Sequence, residues 1–155
     1  MERDPEATPR CALWSLSGGP LDAECWQPGL PKAGFVASLA EPPALPKWLA
    51  PEDLAFYAGV YRRTRFRGGL NWYRNTDRNW ALLAPFHGAA VRQPALFIAG
   101  QRDPVLGWAA PAVAALPRMA PALRGTVMLE TAGHWVRQEA PEAVNAALIR
   151  FLRNL

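Results

Sequence analysis

Two residues with catalytic potential each follow a short strand-like run in the second half of the chain. Asp103 comes shortly after "PALFIAG", and His134 comes shortly after "GTVMLE". The carboxyl ends of parallel strands meet at one edge of an open α/β sheet, where such proteins place their reactive groups. We therefore expect Asp103 and His134 to be partners, with side chains about 2.6 to 3.2 Å apart.

A histidine–aspartate pair is suited to proton transfer. A carboxylate on one imidazole nitrogen fixes the tautomer, and it stabilises the positive charge that forms when the other nitrogen takes a proton. Covalent catalysis would also need a nucleophile, but the sequence contains no G-x-S-x-G elbow. Its serines and cysteines lie in surroundings that do not predict activation. The sequence therefore predicts a base and its orienting acid without an evident nucleophile.

A third stretch, "GGLNWYRNTDRNW", concentrates indole, phenol, guanidinium and amide groups before the two strands. It follows an amphipathic helix predicted over "APEDLAFYAGVYRRTRF", in which Tyr57 and Tyr61 are expected to face the core. We expect the glycines at 68 and 69 to end that helix. A second helix is predicted over residues 70–83.

The order of elements predicts an α/β fold. Strand, helix, strand and helix follow one another after Arg92, as in a parallel α/β unit. The chain has 155 residues, of which 50% are hydrophobic, and this is enough for one core. Many of its 16 prolines lie before residue 52. We expect that beginning to be irregular.

Several functional classes are disfavoured by composition. No apolar run is long enough for a transmembrane helix, and the first residues lack a signal peptide's apolar segment, so we predict a cytoplasmic protein that does not bind membranes. The two cysteines are expected to be reduced thiols. The net charge is +4, but the arginines at 62, 63, 65 and 67 do not share a helical face, so nucleic acid is not an expected partner. Neither metal-ligand spacing nor a phosphate-binding loop is evident, and no cofactor is expected.

Three segments together resemble the soluble epoxide hydrolases of the α/β-hydrolase fold. They are "FRGGLNWYRNTDRNW", "PALFIAGQRDPV" and "AGHWVRQEAPEAVNAALIRFL", and they occur in the family's order. The resemblance implies the C-terminal part of that fold: a partial helical cap followed by the last two parallel strands and their helices. It divides the chain into an irregular remnant of the cap (1–47), the remainder of the helical cap (48–90) and the C-terminal part of the core (91–155).

The resemblance also implies roles for three residues. In this family an aspartate opens the epoxide to give an alkyl-enzyme ester, which a histidine-activated water hydrolyses to a vicinal diol. His134 matches the base, Asp103 its orienting acid, and Tyr73 one of the two cap tyrosines that bind the epoxide oxygen. A phenol suits that last role, because with an ordinary pKa of about 10 it stays protonated until alkoxide charge develops. Trp72 and Trp80 are expected to pack the cap.

Other residues near these motifs are expected to have structural roles. Asn71, Arg74 and Asn75 should fix the turn and the helix surface. His87, in "PFHGAAV", should be structural because it lies where the cap joins the core.

The sequence departs from the family in what it lacks. The aspartate elbow, the H-G-x-P loop and the first cap tyrosine have no counterpart in the 155 residues. We therefore expect a small hydrophobic epoxide and water as substrates, and no turnover by this chain alone. The chain is expected either to be a partly molten or aggregation-prone monomer or to associate with a partner chain that supplies the N-terminal half. The alternatives are another hydrolase of this fold, such as a dehalogenase, and a non-catalytic remnant that binds hydrophobic ligands or a partner.

Overall fold

The structure, a computed structural model, describes residues 4–20, 25–27 and 34–155. Within these ranges the chain forms eight α-helices, two short 3₁₀ helices and two β-strands. The 3₁₀ helices span Phe35–Ser38 and Ala84–Phe86. The other elements are, in chain order, α1 (Ala7–Ser15), α2 (Pro51–Thr64), α3 (Arg67–Arg74), α4 (Thr76–Leu82), β1 (Ala95–Gly100), α5 (Pro104–Ala114), α6 (Leu116–Met119), β2 (Leu123–Leu129), α7 (Val136–Glu139) and α8 (Pro141–Arg153).

The expectation of an irregular beginning is wrong for α1. Asp4 Oδ1 accepts hydrogen bonds from two backbone N–H groups at the start of this helix, at 2.7 and 3.1 Å. Pro9 lies in its first turn, where a missing N–H removes no helical hydrogen bond. At the other end Ser15 is fully buried, and its hydroxyl accepts the backbone N–H of Ala40 at 2.8 Å. Residues 1–3, 21–24 and 28–33 of the predicted irregular segment lie outside the described residues.

The amphipathic helix expected from Pro51 is confirmed as α2, but the glycines do not end it. The helix ends at Thr64, and Arg65 adopts a left-handed φ of 62°. Phe66 is buried and stacks on Tyr61, with ring centroids 4.2 Å apart and planes 11° apart. This stack anchors the turn. The glycines at 68 and 69 lie inside α3.

The helix predicted over residues 70–83 is two helices with a break at Asn75. The Asn75 amide donates to the Asn71 carbonyl at 2.7 Å, and the Thr76 hydroxyl donates to the Tyr73 carbonyl at 2.7 Å. Arg74 donates to the Asn71 side chain at 3.1 Å. The side chains of Asn75 and Thr76 thus donate to backbone carbonyls at the end of α3, and Arg74 contacts Asn71 on the helix surface. These contacts confirm the structural role expected for the asparagines and the arginine.

Aromatic side chains of the cap region are less buried than expected. Trp72 and Trp80 are 79% and 76% exposed, so the prediction that they pack the cap is wrong within the described residues. Tyr57 also lies on the surface, whereas Leu54 and Ala58 form the buried face of α2. Helical periodicity identifies the apolar face of a helix, but it does not show whether another part of the chain covers that face.

The two predicted strands are confirmed, and they pair in parallel. Leu96 pairs with Gly125, and the register continues to Gly100 opposite Leu129, after an irregularity next to Ala95. Helices α5 and α6 connect the strands. Asp103 and His134 therefore follow neighbouring strand ends at one edge of this sheet.

Helix α8 is confirmed and contacts both strands, but its apolar face is only partly covered. Val144 and Ala147 are buried, whereas the apolar side chains of Leu148 and Leu152 are exposed. Two paired strands are about 5 Å apart, and a helix with side chains is about 10 Å wide. A two-stranded sheet is thus too narrow to cover the whole face. In the described part of the chain, no helix is long and apolar enough to cross a membrane.

Candidate active site

The structure brings Asp103 and His134 together at the carboxyl edge of the sheet. Asp103 Oδ2 lies 3.0 Å from His134 Nδ1, within the distance expected from the sequence. The other carboxylate oxygen of Asp103 accepts the Val105 backbone N–H at 2.8 Å and so caps α5. One side chain therefore has two tasks, because the helix cap holds the carboxylate in position for the imidazole.

The hydrogen bond defines which histidine nitrogen can act as a base. An ionised carboxylate only accepts hydrogen bonds, so Nδ1 of His134 carries the proton and Nε2 is the unprotonated nitrogen of the neutral ring. The hydrogen bond to Asp103 raises the pKa of His134; burial opposes this effect, and the charges of Asp103 and Glu139 reinforce it. The His134 side chain is 37% exposed, compared with 15% for Asp103. The imidazole is therefore partly accessible from solvent.

Backbone contacts fix the loop that carries His134. The His134 N–H donates to the Leu16 carbonyl at 2.8 Å, and Arg102 N–H donates to the Ala132 carbonyl at 3.0 Å. The His134 ring also makes an edge contact with Trp135, with centroids 5.0 Å apart. The loop is thus attached both to the residues before Asp103 and to the segment after α1.

Glycines make this close packing possible. A Cβ atom at Gly100 would overlap the carbonyl oxygens of the histidine loop. A Cβ atom at Gly133 would overlap the backbone of Ser17 and Gly18. Only residues without a side chain allow these backbones to approach so closely.

Glu139 is a site residue that the sequence reasoning missed. Its carboxylate accepts backbone hydrogen bonds from Gly18, Gly133 and Trp135. The partner groups are backbone N–H groups, which carry no signal in residue type. The only available indication was an acidic residue one short helix beyond His134.

The serines are committed to structural hydrogen bonds. Ser15 and Ser17 are fully buried. The Ser17 hydroxyl donates to the Trp14 carbonyl at 2.8 Å and accepts the Gly19 N–H at 3.1 Å. Ser38 donates to the Phe35 carbonyl at 2.6 Å. None of the three is an activated nucleophile.

Cys11 is equally unsuited to nucleophilic attack. Burial, followed by a hydrogen bond to Glu41, raises the pKa of the Cys11 thiol to about 11. Attack requires the thiolate, which is scarce at neutral pH with such a pKa.

The described residues also contain no group of three histidine, cysteine or acidic side chains that could hold a metal ion.

Tyr73 is placed apart from the histidine–aspartate pair. It lies on α3 with a side chain that is 78% exposed, beside a surface depression lined by Tyr61, Phe66 and Leu70. Among the described residues, no hydrogen bond or ring contact joins it to Asp103 or His134. The role of Tyr73 as a donor to the epoxide oxygen stays an expectation from the family resemblance. His87 is also exposed, at the end of a 3₁₀ helix.

Comparison with known proteins identifies relatives among the epoxide hydrolases, although no protein-family model matches the chain. Epoxide hydrolase A of Mycobacterium tuberculosis is 47% identical over 125 residues, covering 79% of this chain and 37% of that protein. Epoxide hydrolase of Caballeronia sordidicola is 35% identical over 143 residues, covering 92% of this chain and 43% of that protein. The chain thus spans about two fifths of these relatives.

Solved structures give the same result. Epoxide hydrolase A from Mycobacterium thermoresistibile superposes with a TM-score of 0.85 at 48% identity, covering 98% of this chain and 47% of that one. An epoxide hydrolase from an endophytic Streptomyces gives a TM-score of 0.89 at 39% identity, covering 98% and 46%. The chain is therefore a homologue of the C-terminal portion of epoxide hydrolases with the α/β-hydrolase fold.

Proposed function

We propose that this chain supplies the water-activating half of an epoxide hydrolase site. The observation that carries the proposal is the 3.0 Å hydrogen bond between Asp103 Oδ2 and His134 Nδ1, together with the partial exposure of the imidazole. The similarity to named epoxide hydrolases supports the choice of reaction. The attacking carboxylate belongs to residues outside this sequence.

The first step of the proposed reaction opens the epoxide. A carboxylate oxygen attacks one epoxide carbon, the C–O bond to the ring oxygen breaks, and that oxygen takes a proton from a phenol such as Tyr73. The product is an alkyl ester of the enzyme with a neighbouring hydroxyl group. Hydrogen bonding to the developing alkoxide lowers the barrier, because its charge appears only as the ring opens.

The second step hydrolyses that ester. His134 Nε2 takes a proton from water while the water oxygen attacks the ester carbonyl, and Asp103 stabilises the resulting imidazolium. Collapse of the tetrahedral intermediate gives a carboxylic acid and the alkoxide of the diol. The alkoxide takes the proton of the His134 imidazolium, which releases a vicinal diol, and the carboxylic acid returns its proton to the phenolate, which restores the carboxylate and the phenol. In this scheme, the net reaction adds one water to one epoxide.

The chain alone is proposed to be inactive, because His134 has no ester to hydrolyse without the nucleophile. Its partners are then an epoxide, water and a segment carrying the N-terminal half of the fold. Such a segment could be a separate chain or belong to a longer form of the same protein. A cytoplasmic location stays a prediction from the sequence.

Reconstitution tests this function. The chain is co-expressed with the N-terminal portion of Epoxide hydrolase A from M. tuberculosis that it does not cover, and diol formation is measured with an aryl epoxide. We expect turnover by the complex and none by the chain alone. In a His134→Gln complex the alkyl-enzyme ester should accumulate, which mass spectrometry detects as a covalent adduct. His87→Gln is the matched control and should turn over normally.

The other readings predict different products. Halide release from a haloalkane without diol formation would favour a dehalogenase. A stable complex that attacks neither compound would favour a non-catalytic binding protein. Turnover by the isolated chain would contradict the assignment of the nucleophile to residues outside this sequence.

A further inference from the structure

The Glu139 carboxylate gathers three backbone N–H groups around the histidine loop. Its Oε2 accepts from Gly18 at 2.7 Å, and its Oε1 accepts from Trp135 at 3.1 Å. Gly133 N–H lies 3.1 Å from both oxygens. Hydrogen bonds to an ionised acceptor are stronger than those between neutral groups, so one side chain holds three N–H groups from two segments of backbone together.

Two of these N–H groups flank the proposed base. Gly133 and Trp135 are the immediate neighbours of His134 in the chain. Their N–H groups point at one acceptor, so the backbone on each side of His134 has little freedom to rotate. The imidazole is then fixed at both ends, by Asp103 at the ring and by Glu139 through the backbone.

The third N–H group connects this loop to the segment that follows α1. Gly18 donates to Glu139, and two residues earlier the Leu16 carbonyl accepts the His134 N–H at 2.8 Å. The two contacts run in opposite directions between the same pair of segments. Displacement of the Leu16–Gly18 segment would therefore break both the Glu139 contact and the backbone contact of His134.

We propose that Glu139 is a positioning residue that holds the His134 base in register with both Asp103 and the Leu16–Gly18 segment. The inference rests on the proposed role of His134 as the base. No contact between Glu139 and substrate is required.

Glu139→Gln tests the inference with little change in shape. A glutamine keeps one oxygen acceptor but replaces the other with an NH₂ donor. In one amide orientation that NH₂ group faces Gly18 N–H, and in the other it faces Trp135 N–H. Either orientation sets donor against donor, so at least one link should be lost. Glu139→Ala should lose all three.

The measurements are made on the 155-residue chain by NMR, so they do not depend on activity. Hydrogen exchange of the Gly18 or Trp135 amide should become about tenfold faster or more in Glu139→Gln. The downfield Nδ1 proton of His134, which reports its hydrogen bond to Asp103, should weaken or broaden. The pKa of His134 should fall, because the favourable charge of Glu139 is removed and the hydrogen bond to Asp103 is less well held.

Glu142→Gln is the matched control. Glu142 is exposed in the first turn of α8, and its substitution by glutamine removes the same charge as Glu139→Gln. It should leave the amide exchange and the His134 proton as in the wild type. A purely structural Glu139 would change stability while leaving the His134 Nδ1 signal and pKa unaltered, and that result would overturn the inference. So would a wild-type chain in which His134 titrates like a free imidazole. Neither outcome decides whether the reconstituted complex opens epoxides, so the two proposals can fail separately.

Discussion

At the scale of single residues, the two carboxylate oxygens of Asp103 accept different hydrogen bonds, and this determines how a substitution at Asp103 affects the site. Oδ1 caps α5 through Val105, and Oδ2 holds His134 Nδ1. A substitution that removes the charge can therefore leave the helix cap in place. This separates the electrostatic role of the aspartate from its structural role.

The loss of stability caused by Asp103→Asn should depend on pH, because the substitution removes the partner that raises the pKa of His134. The pKa of His134 is raised above its ordinary value of 6.5, chiefly by the hydrogen bond to Asp103. A raised pKa in the folded state contributes stability that is fully present below the unfolded pKa and is lost as pH rises through the folded pKa. The variant should therefore be destabilised more at about pH 5.5 than at about pH 9. Urea unfolding at the two pH values measures this difference.

Asp77→Asn is the control for that experiment. Asp77 lies exposed in the first turn of α4. Its substitution should give the same small change at both pH values. An equal loss of stability in Asp103→Asn at both pH values would show that the charge of the pair contributes nothing to folding.

Tyr73→Phe tests the remaining residue of the proposed site. In the reconstituted complex we expect ring opening to slow roughly a hundredfold, because a proton donor to the developing alkoxide is lost. Hydrolysis of the ester should be unchanged, since that step uses His134. Rapid-quench measurements of alkylation and dealkylation separate the two steps. Tyr57→Phe, on the surface of α2, should leave both rates unaltered. Unchanged alkylation in Tyr73→Phe would make Tyr73 a surface residue only.

At the scale of elements, the contact between the Leu16–Gly18 segment and the histidine loop depends on the absence of side chains. A Cβ atom at Gly18 would overlap the Thr131 carbonyl oxygen. Gly59, by contrast, lies exposed in α2 with no atom within 4 Å of a Cβ built there. The two glycines therefore affect stability in opposite ways. Gly18 permits close packing of two backbone segments, whereas Gly59 weakens helix α2.

Alanine at these positions should shift stability in opposite directions. Gly18→Ala forces two backbones apart and should lower the free energy of unfolding by about 1–3 kcal/mol. Gly59→Ala should raise it by about 0.5–1 kcal/mol, because alanine is the better helix former. Urea unfolding followed by circular dichroism measures both changes. A neutral Gly18→Ala would show that the two segments are not in close contact in solution.

At the scale of the whole molecule, the described chain has more apolar surface than its own elements cover. The two strands each have an unpaired edge in the described sheet, and three or more strands are usually needed for independent stability. Leu152 on α8 is 60% exposed, and Trp108 on α5 is also exposed. The relatives have more than half of their length outside the matched region.

We expect the isolated chain to be only marginally stable and the N-terminal portion of a relative to stabilise it. A partner that binds the folded form shifts the unfolding equilibrium by mass action. The chain alone should bind a hydrophobic dye such as ANS and unfold at low urea, whereas the complex should bind less dye and unfold at higher urea. An unrelated protein of similar size serves as the control. A chain whose unfolding midpoint is the same with and without the N-terminal portion would contradict this expectation.

The sequence by itself determined the two strands, helices α2 and α8, and the partnership at the site. The apolar runs of β1 and β2, the amphipathic patterns of α2 and α8, and the positions of Asp103 and His134 after two strands are local properties of the chain. Parallel strands bring their carboxyl ends to one edge, so the pair could be predicted without coordinates. The motifs around Tyr73 and His134 also sufficed to indicate the family.

Only the tertiary structure decided which faces are covered and what holds the histidine loop. The periodicity of α8 marks an apolar face, but the width of the sheet determines that Leu152 is exposed. The stack of Phe66 on Tyr61 accompanies the end of α2 at Thr64, before the glycines expected to end it. Glu139 binds backbone N–H groups from two distant segments, and every residue except proline has such a group. No pattern of residue types could have revealed that contact, because it depends on where the chain lies in space.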